Sequence, residues 1–282
     1  MNIFTRLCHH FGITDLLRNQ RMFRQQQARA LAHYTREVFR PRTLADVEWS
    51  CYSQWGEDGI LDWLVEQLPD IPKTFVELGC GDYEECNTRC LMELRNWSGV
   101  VVDANPAAIA HIQVQDYYWR YDLTAKCLTV TPAQYIGVPN EVGVLSIDLD
   151  GMDYWVWDAI LWRPWVVICE YNDLFGARAV TVPYQENFNR TKAHYSNLYF
   201  GASLSAMCKL ATRKGYVFLG TNINGCNAFF VREDKASFIK LGEAKAWPAR
   251  FREARDAQGC LIYASRDVQR AMIAHLPLEE VS

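Results

Sequence analysis

Short apolar runs alternate with helix-compatible stretches between residues 74 and 231. The predicted strands are 74–78, 99–103, 142–147, 165–170, 216–220 and 227–231. The predicted helices are 84–95, a segment that begins at Pro106, 154–161 and 202–214. Nearly continuous apolar strands that alternate with helices indicate a mostly parallel sheet covered on both faces. Because only the turn-rich segment Thr-Asn-Ile-Asn-Gly-Cys separates the last two runs, they predict an antiparallel hairpin at the end of an α/β fold.

The composition is that of a globular protein and excludes several classes. The chain has 282 residues, of which 50% are hydrophobic and 22% charged, and its formal net charge is −4. Since a nucleic-acid-binding protein normally shows a basic excess, we expect no nucleic-acid partner. No apolar run reaches the roughly 18 to 20 residues that a membrane-spanning helix needs. Ten cysteines without a regular framework, several of them inside apolar runs, predict reduced thiols in a cytoplasmic protein.

Positive charge is concentrated in the first part of the chain. Residues 1–42 contain eight arginines and two acidic residues, which gives this segment a charge of +6. Residues 16–39 are compatible with a basic helix that ends before Pro41. Such a helix can dock on its own acidic chain, contact a second subunit of a homo-oligomer, or lie peripherally on an anionic membrane, and the sequence leaves these contacts open. The predicted units are a basic helical extension (1–45), a central domain (46–232) and a helical carboxyl-terminal extension (233–282).

The residues at the ends of the first two strands are suited to a nucleoside ligand. The first strand runs into Glu77-Leu78-Gly79-Cys80-Gly81-Asp82, and the second ends in Asp103, 22 residues beyond Gly81. Ligands of open α/β sheets bind beyond the carboxyl ends of the strands, where glycines permit a tight turn and a close approach. A carboxylate at Asp103 can accept hydrogen bonds from a ribose diol. Because Glu77 and Asp82 would repel phosphates, and no Gly-Lys-Ser/Thr follows, we expect a nucleoside without a pyrophosphate.

These motifs resemble the first two motifs of class I S-adenosylmethionine-dependent methyltransferases, which have a Rossmann-like sheet with a closing hairpin. Residues 53–59 (Ser-Gln-Trp-Gly-Glu-Asp-Gly), 146–151 (Ser-Ile-Asp-Leu-Asp-Gly) and 227–231 (Asn-Ala-Phe-Phe-Val) resemble the FkbM-like methyltransferases more narrowly. The resemblance covers residues 50–232 and implies S-adenosylmethionine as the methyl donor. The donor-binding residues that it implies are Glu77, Gly79 and Gly81 for the methionine portion, Asp103 for the ribose, Asp122 near the adenine, and Ser53 and Gln54 around the donor.

Polar side chains also follow the third and fourth predicted strands. Asp148 and Asp150 come after one, while Glu170 and Asn172 come at the end of the other. Because neighbouring parallel strands end at the same edge of a sheet, we expect these side chains to meet in one cleft. Such oxygen ligands suit Mg²⁺ or Mn²⁺, and the arrangement resembles that of metal-dependent O-methyltransferases. In the alternative that stays open, Asp148 contacts the substrate directly, and Asp150 and Asp153 cap the next helix.

Two residues are candidates for catalysis. Asp148 would act on the acceptor hydroxyl, either directly or through a metal that lowers the pKa of that hydroxyl. His194 lies in the long stretch 173–200, where a lid over the substrate is expected, and its ordinary pKa near 6.5 suits a general base. A structural or surface role is the alternative for His194.

Three functions are compatible with these observations. The resemblance implies an O-methyltransferase that acts on a hydroxyl of a glycan, a glycoconjugate or a small molecule. Asp148-Leu149-Asp150 after an apolar strand also resembles the Asp-x-Asp metal site of glycosyltransferases that use nucleotide sugars. A noncatalytic binding protein that retains the fold is the third reading. The glycosyltransferase reading leaves the glycine turn at 77–82 without an explanation, and the intact Gly79, Gly81 and Asp103 argue against a noncatalytic protein.

Overall fold

The computed structural model describes residues 13–37, 40–132, 137–138, 141–250 and 253–282. The strands are β1 (Thr74–Leu78), β2 (Ser98–Asp103), β3 (Leu123–Cys127), β4 (Val144–Ile147), β5 (Val166–Glu170), β6 (Val180–Thr181), β7 (Tyr216–Thr221), β8 (Asn227–Arg232) and β9 (Glu279–Glu280). The α-helices are α1 (Ile13–Arg36), α2 (Glu57–Gln67), α3 (Arg89–Arg95), α4 (Pro106–Gln113), α5 (Asp116–Arg120), α6 (Asp153–Ala159), α7 (Arg190–Ala193), α8 (Leu204–Arg213) and α9 (Arg266–Ile273). Short 3₁₀ helices cover Leu44–Val47, Asp173–Phe175 and Glu233–Phe238.

A seven-stranded sheet forms the centre of the molecule, in the order β3-β2-β1-β4-β5-β8-β7. The pairs among β1 to β5 are parallel, whereas β8 runs antiparallel to both β5 and β7. The predicted Rossmann-like sheet with a terminal antiparallel hairpin is therefore confirmed. The chain winds outward from β1 to β3 and then returns to β4 on the other side of β1. This reversal separates the connections above β1 and β4, which is where open α/β sheets form their ligand clefts.

Alternating residues of the central strands divide the core into two layers. Phe75 of β1 packs in one layer, which also holds Trp63 of α2 and Leu91 of α3. Val76, one residue later, packs in the other layer with Trp157 of α6. Because successive side chains of a strand point to opposite faces, a continuous apolar run is needed when helices cover both. The two layers fix the strands whose ends build the cleft.

Two predicted elements differ from the structure. The predicted helix 84–95 begins only at Arg89, because the backbone N–H groups of Asn87 and Thr88 donate to the buried carboxylate of Glu77. Strand β3 was not predicted from the sequence. Its burial alternates along Leu-Thr-Ala-Lys-Cys at the edge of the sheet, so it lacks the continuous apolar run of the central strands.

The basic amino-terminal helix docks on its own chain. Ala28 and Ala32 of α1 are 1% and 2% exposed, and α1 packs against α2. Arg21 lies 2.9 Å from Glu93 of α3, while Arg36 lies 2.9 Å from Asp62 of α2. Of the contacts that the sequence left open, docking on the acidic chain is thus observed.

The carboxyl-terminal extension is helical only in part, which corrects the prediction for 233–282. Its one α-helix among the described residues is α9, which follows the 3₁₀ helix at Glu233–Phe238. Pro248, Gly259 (φ +82°) and Pro277 interrupt helical geometry along the segment. Ala254, Ala264 and Ile273 pack instead into a third apolar cluster, and β9 pairs with β6.

None of the helices formed by the described residues is long and apolar enough to cross a membrane. The nine cysteines among the described residues are free thiols, as expected.

Candidate functional site

A cleft of about 580 Å³ opens at the carboxyl ends of the parallel strands. Residues that follow each strand line it: Gly79 and Gly81 after β1, Asp103 and Ala104 at β2, Leu128 to Val130 after β3, Asp148 to Asp150 after β4, and Glu170 to Asp173 at β5. The lid predicted at 173–200 contributes Glu186, Phe188, Arg190, Leu198 and Phe200. The cleft therefore lies at the predicted position in the sheet.

The glycine turn after β1 is joined to the end of β2. Gly79 has φ +82°, and a Cβ atom there would lie 1.6 Å from the carbonyl oxygen of Asp148, so only glycine fits. The N–H of Gly81 donates to Asp103 Oδ2 at 2.9 Å, and the N–H of Asn105 donates to Asp103 Oδ1 at 2.7 Å. These bonds fix the Asp103 carboxylate at the cleft. Its remaining lone pairs are available to a diol.

Glu77 and Ser53 are placed differently from Gly79, Gly81 and Asp103, since neither lines the cleft. The Glu77 carboxylate is 3% exposed and accepts hydrogen bonds from the loop before α3, and burial raises its pKa to about 7. Ser53 Oγ accepts a hydrogen bond from the N–H of Asp58. Glu77 and Ser53 thus bond to the loops around the cleft and do not form part of its lining.

Residues 53–56 form a loop that presents Gln54 and Trp55 to the cleft. The loop is held by Glu57, a fully buried carboxylate. Glu57 Oε2 accepts from the N–H groups of Trp55 and Gly56, and Oε1 accepts from the side chains of Asn222 and Asn227. The bond to Asn227 links two segments of the family resemblance, 53–59 and 227–231. Sequence reasoning did not identify this role of Glu57, although a glutamate within a polar motif was the available signal.

The structure contradicts the prediction for Asp122. In the parallel register Leu123 pairs with Gly99 and Cys127 pairs with Asp103, so Asp122 precedes the amino end of β3. The cleft lies at the opposite end of the strand, and its wall there is formed by Leu128, Thr129 and Val130. The prediction was wrong because β3 itself had not been predicted, which left the strand direction at Asp122 unassigned.

Three carboxylates gather at the ends of β4 and β5. Asp148, Asp150 and Glu170 each offer an oxygen within 4.8 Å of the others. Arg190 approaches them, with Nη1 at 3.1 Å from Asp150 Oδ1 and 3.7 Å from Glu170 Oε1. Asp148 is open to the cleft, but partial desolvation there and the neighbouring carboxylate of Asp153 raise its pKa, and burial and Asp148 raise the pKa of Glu170. Glu170 Oε2 is buried without a hydrogen-bond partner. This arrangement favours bound protons or a bound cation.

Asn172 does not join the carboxylates as an available ligand. Its Nδ2 donates to the carbonyl oxygens of Leu198 and Phe200, and its Oδ1 accepts from the N–H of Leu174. Although Asn172 lines the cleft, its amide is used to fix the lid on the end of β5. Asp153 accepts hydrogen bonds from the N–H groups of Leu149 and Gly151, so it holds the turn after β4. It does not cap the helix that follows, although the alternative to a metal site predicts such a cap.

The structure places His194 outside the cleft lining, where it could not act as the predicted base without moving. Helix α7 ends at Ala193, and the extended backbone of His194 (φ −155°) leads away from the helix. The imidazole Nδ1 lies 2.7 Å from Ser196 Oγ, and the ring lies 4.2 Å from that of Tyr195. Burial, followed by nearby His275, lowers the pKa of His194. In this structure the His194 ring thus contacts its neighbours in the lid and is not part of the cleft lining.

Comparisons with known proteins give similarities of fold and none of sequence. No family model and no curated protein matches the sequence. A solved S-adenosylmethionine-dependent methyltransferase from Clostridium acetobutylicum is similar with 10% identity and a TM-score of 0.42, over 62% of this chain and 90% of that one. The magnesium protoporphyrin IX methyltransferase of Synechocystis, solved with bound S-adenosylmethionine, has 12% identity and a TM-score of 0.39, over 62% of this chain and 77% of that one. A Mesorhizobium loti S-adenosylmethionine-dependent methyltransferase has the same identity and TM-score over 63% of this chain and all of its own. Similarity at this level identifies neither a family nor an activity.

Proposed function

We propose that the chain is an S-adenosylmethionine-dependent O-methyltransferase. The observation that carries the proposal is the turn at Gly79 and Gly81. The N–H group of Gly81 holds the Asp103 carboxylate at the cleft. Asp103 can bind a ribose diol. A Cβ atom on Gly81 would meet nothing within 4 Å, which leaves room for a ligand against the turn. When bound, S-adenosylmethionine supplies the methyl group. Its positive sulfonium also suits a cleft whose charged lining residues are mostly carboxylates.

The remaining donor contacts are assigned from the lining of the cleft. Gln54 and Trp55 face it from the loop before α2, and Leu128, Thr129 and Val130 wall it at the end of β3. We assign the apolar wall at Leu128 and Val130 to the base of the nucleoside, in place of Asp122. This assignment follows strand order, since the base lies beyond the ribose when Asp103 binds the ribose hydroxyls.

We assign proton removal from the acceptor hydroxyl to Asp148. Its carboxyl group is open to the cleft and follows β4, the strand next to the glycine turn. Because the pKa of Asp148 is raised, its carboxylate is a stronger base than that of an ordinary aspartate. The FkbM-like resemblance of residues 146–151 adds the substrate class, a hydroxyl of a glycan or glycoconjugate.

A divalent metal is a second element of the proposal. Asp148, Asp150 and Glu170 supply hard oxygen ligands, and the unpartnered Glu170 Oε2 is the observation that favours a cation at this cluster. Mg²⁺ or Mn²⁺ would lower the pKa of the acceptor hydroxyl. Arg190 neutralises part of the same cluster, so metal binding requires its ion pairs with Asp150 and Glu170 to loosen.

Calorimetric titration with Mg²⁺ tests the metal. We expect the wild type to bind the ion and Glu170→Gln to lose that binding. Glu186→Gln is the matched control, because Glu186 lines the cleft outside the cluster, and this variant should bind as the wild type does. Equal binding by all three proteins, or binding by none, contradicts a metal at this cluster and leaves Asp148 as the base.

The transferase itself is tested by incubating the protein with S-adenosylmethionine that carries a labelled methyl group and with a panel of glycosides. We expect labelled product from the wild type and none from Asp148→Asn. Parallel titration with UDP-glucose addresses the glycosyltransferase reading. Binding of UDP-glucose without binding of S-adenosylhomocysteine would overturn the proposal.

The exposed side of α1 is proposed to contact an anionic membrane from the cytoplasm. Arg24, Arg29, Phe23 and Tyr34 are exposed after the helix has docked, and together they combine positive charge with apolar area. Phosphatidylserine vesicles should bind the protein, and phosphatidylcholine vesicles should not. A second subunit is the competing partner, and a dimer that binds neither kind of vesicle would favour it.

A further inference from the structure

The carboxyl-terminal segment builds one end of the cleft, although no sequence motif covers it. Ala249, Glu253, Arg266 and Gln269 all line the cavity. Helix α9, which carries the last two, is held by Ile273 in the third apolar cluster and by the β6–β9 pairing beyond it. This end is therefore preformed rather than a loose tail.

Gln269 is a buried amide with an unused donor. The residue is 1% exposed, it lines the cleft, and its Nε2 is buried without a hydrogen-bond partner. A buried donor without a hydrogen-bond partner costs free energy of folding. An unpaired amide beside a cavity therefore indicates a ligand that accepts its hydrogen bond. Arg266 lies three residues earlier on the same side of α9, but its guanidinium is already paired with Asp173.

The charge of the cleft restricts what this ligand can be. Among the described residues, its lining includes eight acidic side chains and two arginines. Both arginines are paired with cleft carboxylates, Arg190 with Asp150 and Arg266 with Asp173. A ligand with a carboxylate or phosphate would face an excess of like charge here, whereas a neutral ligand would not.

We infer that this end of the cleft binds an uncharged polyhydroxyl acceptor, and that Gln269 is a specificity-determining residue that donates a hydrogen bond to one of its oxygens. The inference rests on the proposed function and narrows its acceptor. A hydroxyl can donate and accept at once, so it can accept from Gln269 and donate to carboxylates such as Glu253 or Glu186. Anionic sugars, such as uronic acids and sugar phosphates, are then poor acceptors.

The test uses one sugar ring with different charges. Methyl glucoside, methyl glucuronide, methyl glucosaminide and glucose 6-phosphate are compared by saturation-transfer NMR on the full chain saturated with S-adenosylhomocysteine. We expect the neutral glycoside to bind at least about tenfold more tightly than the two anions. Gln269→Met should weaken binding of the neutral glycoside by about three- to tenfold, the loss of one hydrogen bond, while S-adenosylhomocysteine binds as before.

The control variant is Gln258→Met, on an exposed turn, which should leave sugar binding unchanged. Binding of the glucuronide or phosphate as tightly as the glucoside would overturn the inference, as would a strong preference for the amine, binding of no sugar, or an unaffected Gln269→Met. Failure of the proposed function gives a different result, because the wild type would then not bind S-adenosylhomocysteine at all.

Discussion

The backbone N–H of Gly81 lies 2.9 Å from Oδ2 of Asp103 and donates a hydrogen bond to it. The bond joins the turn after β1 to the end of β2, two neighbouring strands that run parallel. The glycine motif and the acid that follows it in sequence are thus one structural unit. The account of a nucleoside-binding donor site depends on this unit.

Gly79 and Gly81 differ in what a side chain would meet, although both have positive φ angles. A Cβ atom on Gly79 would clash with the backbone oxygen of Asp148, whereas one on Gly81 would meet nothing within 4 Å. Gly79→Ala should lower the free energy of unfolding by about 3 kcal/mol or more, since strain and overpacking add. Gly81→Ala should cost only about 1 kcal/mol from backbone strain. Urea denaturation of both variants checks this, and equal losses would contradict the geometry.

Glu48 should make stability depend on pH. Burial raises the pKa of Glu48 to about 7, and nearby Glu57 adds to the rise against the lowering effect of the Ile223 N–H group. The folded state then holds a proton that the unfolded state releases from about pH 4.5 upward, so this contribution to stability is lost as pH rises through 7. Glu48→Gln keeps an acceptor for Ile223 and removes the charge.

We therefore expect Glu48→Gln to be more stable than the wild type at pH 8 by about 1–2 kcal/mol, a value reduced because the side chain is partly exposed. At pH 4.5 the two proteins should unfold at nearly the same denaturant concentration. A difference in stability that stays constant between these pH values would contradict the raised pKa.

Glu93 should be essential for docking of the amino-terminal helix. Its fully buried carboxylate accepts hydrogen bonds from Arg21 and Gln25 of α1, from the Tyr52 hydroxyl and from Arg89. Glu93→Ala removes the closest carboxylate partner of the buried Arg89, which keeps Glu84 at 3.4 Å and the carbonyl oxygen of Tyr83, and should cost about 3 kcal/mol. Limited proteolysis should then cut within α1. The exposed pair of Asp158 and Arg213 provides the control, because Asp158→Ala should cost at most about 1 kcal/mol.

The sheet could be predicted from the sequence because its central strands are buried on both faces. Phe75 and Val76 must both be apolar, and such runs are visible without knowledge of the fold. Edge strand β3 alternates Leu123 and Ala125 with Thr124 and Lys126, so the same criterion missed it. The wrong placement of Asp122 followed directly, since strand direction decides which end faces a ligand.

The candidate site could be predicted only where residues follow central strands. Asp103, Asp148 and Glu170 meet at one edge because parallel strands end there. Arg190 and Gln269 reach the same cleft from short helices outside the sheet, through packing between residues far apart in sequence, and no local pattern indicates that approach. His194 shows the converse, since its sequence position in the lid did not determine the direction of its side chain.

The most direct test of the donor site compares two aspartates by calorimetric titration with S-adenosylhomocysteine. Asp103 lies at the cleft, and Asp122 lies at the opposite end of the neighbouring strand. We predict that the wild type and Asp122→Ala bind with the same affinity, and that Asp103→Ala binds at least about tenfold more weakly, since it loses hydrogen bonds to a charged acceptor. No binding by the wild type, or equal binding by Asp103→Ala, would contradict the account.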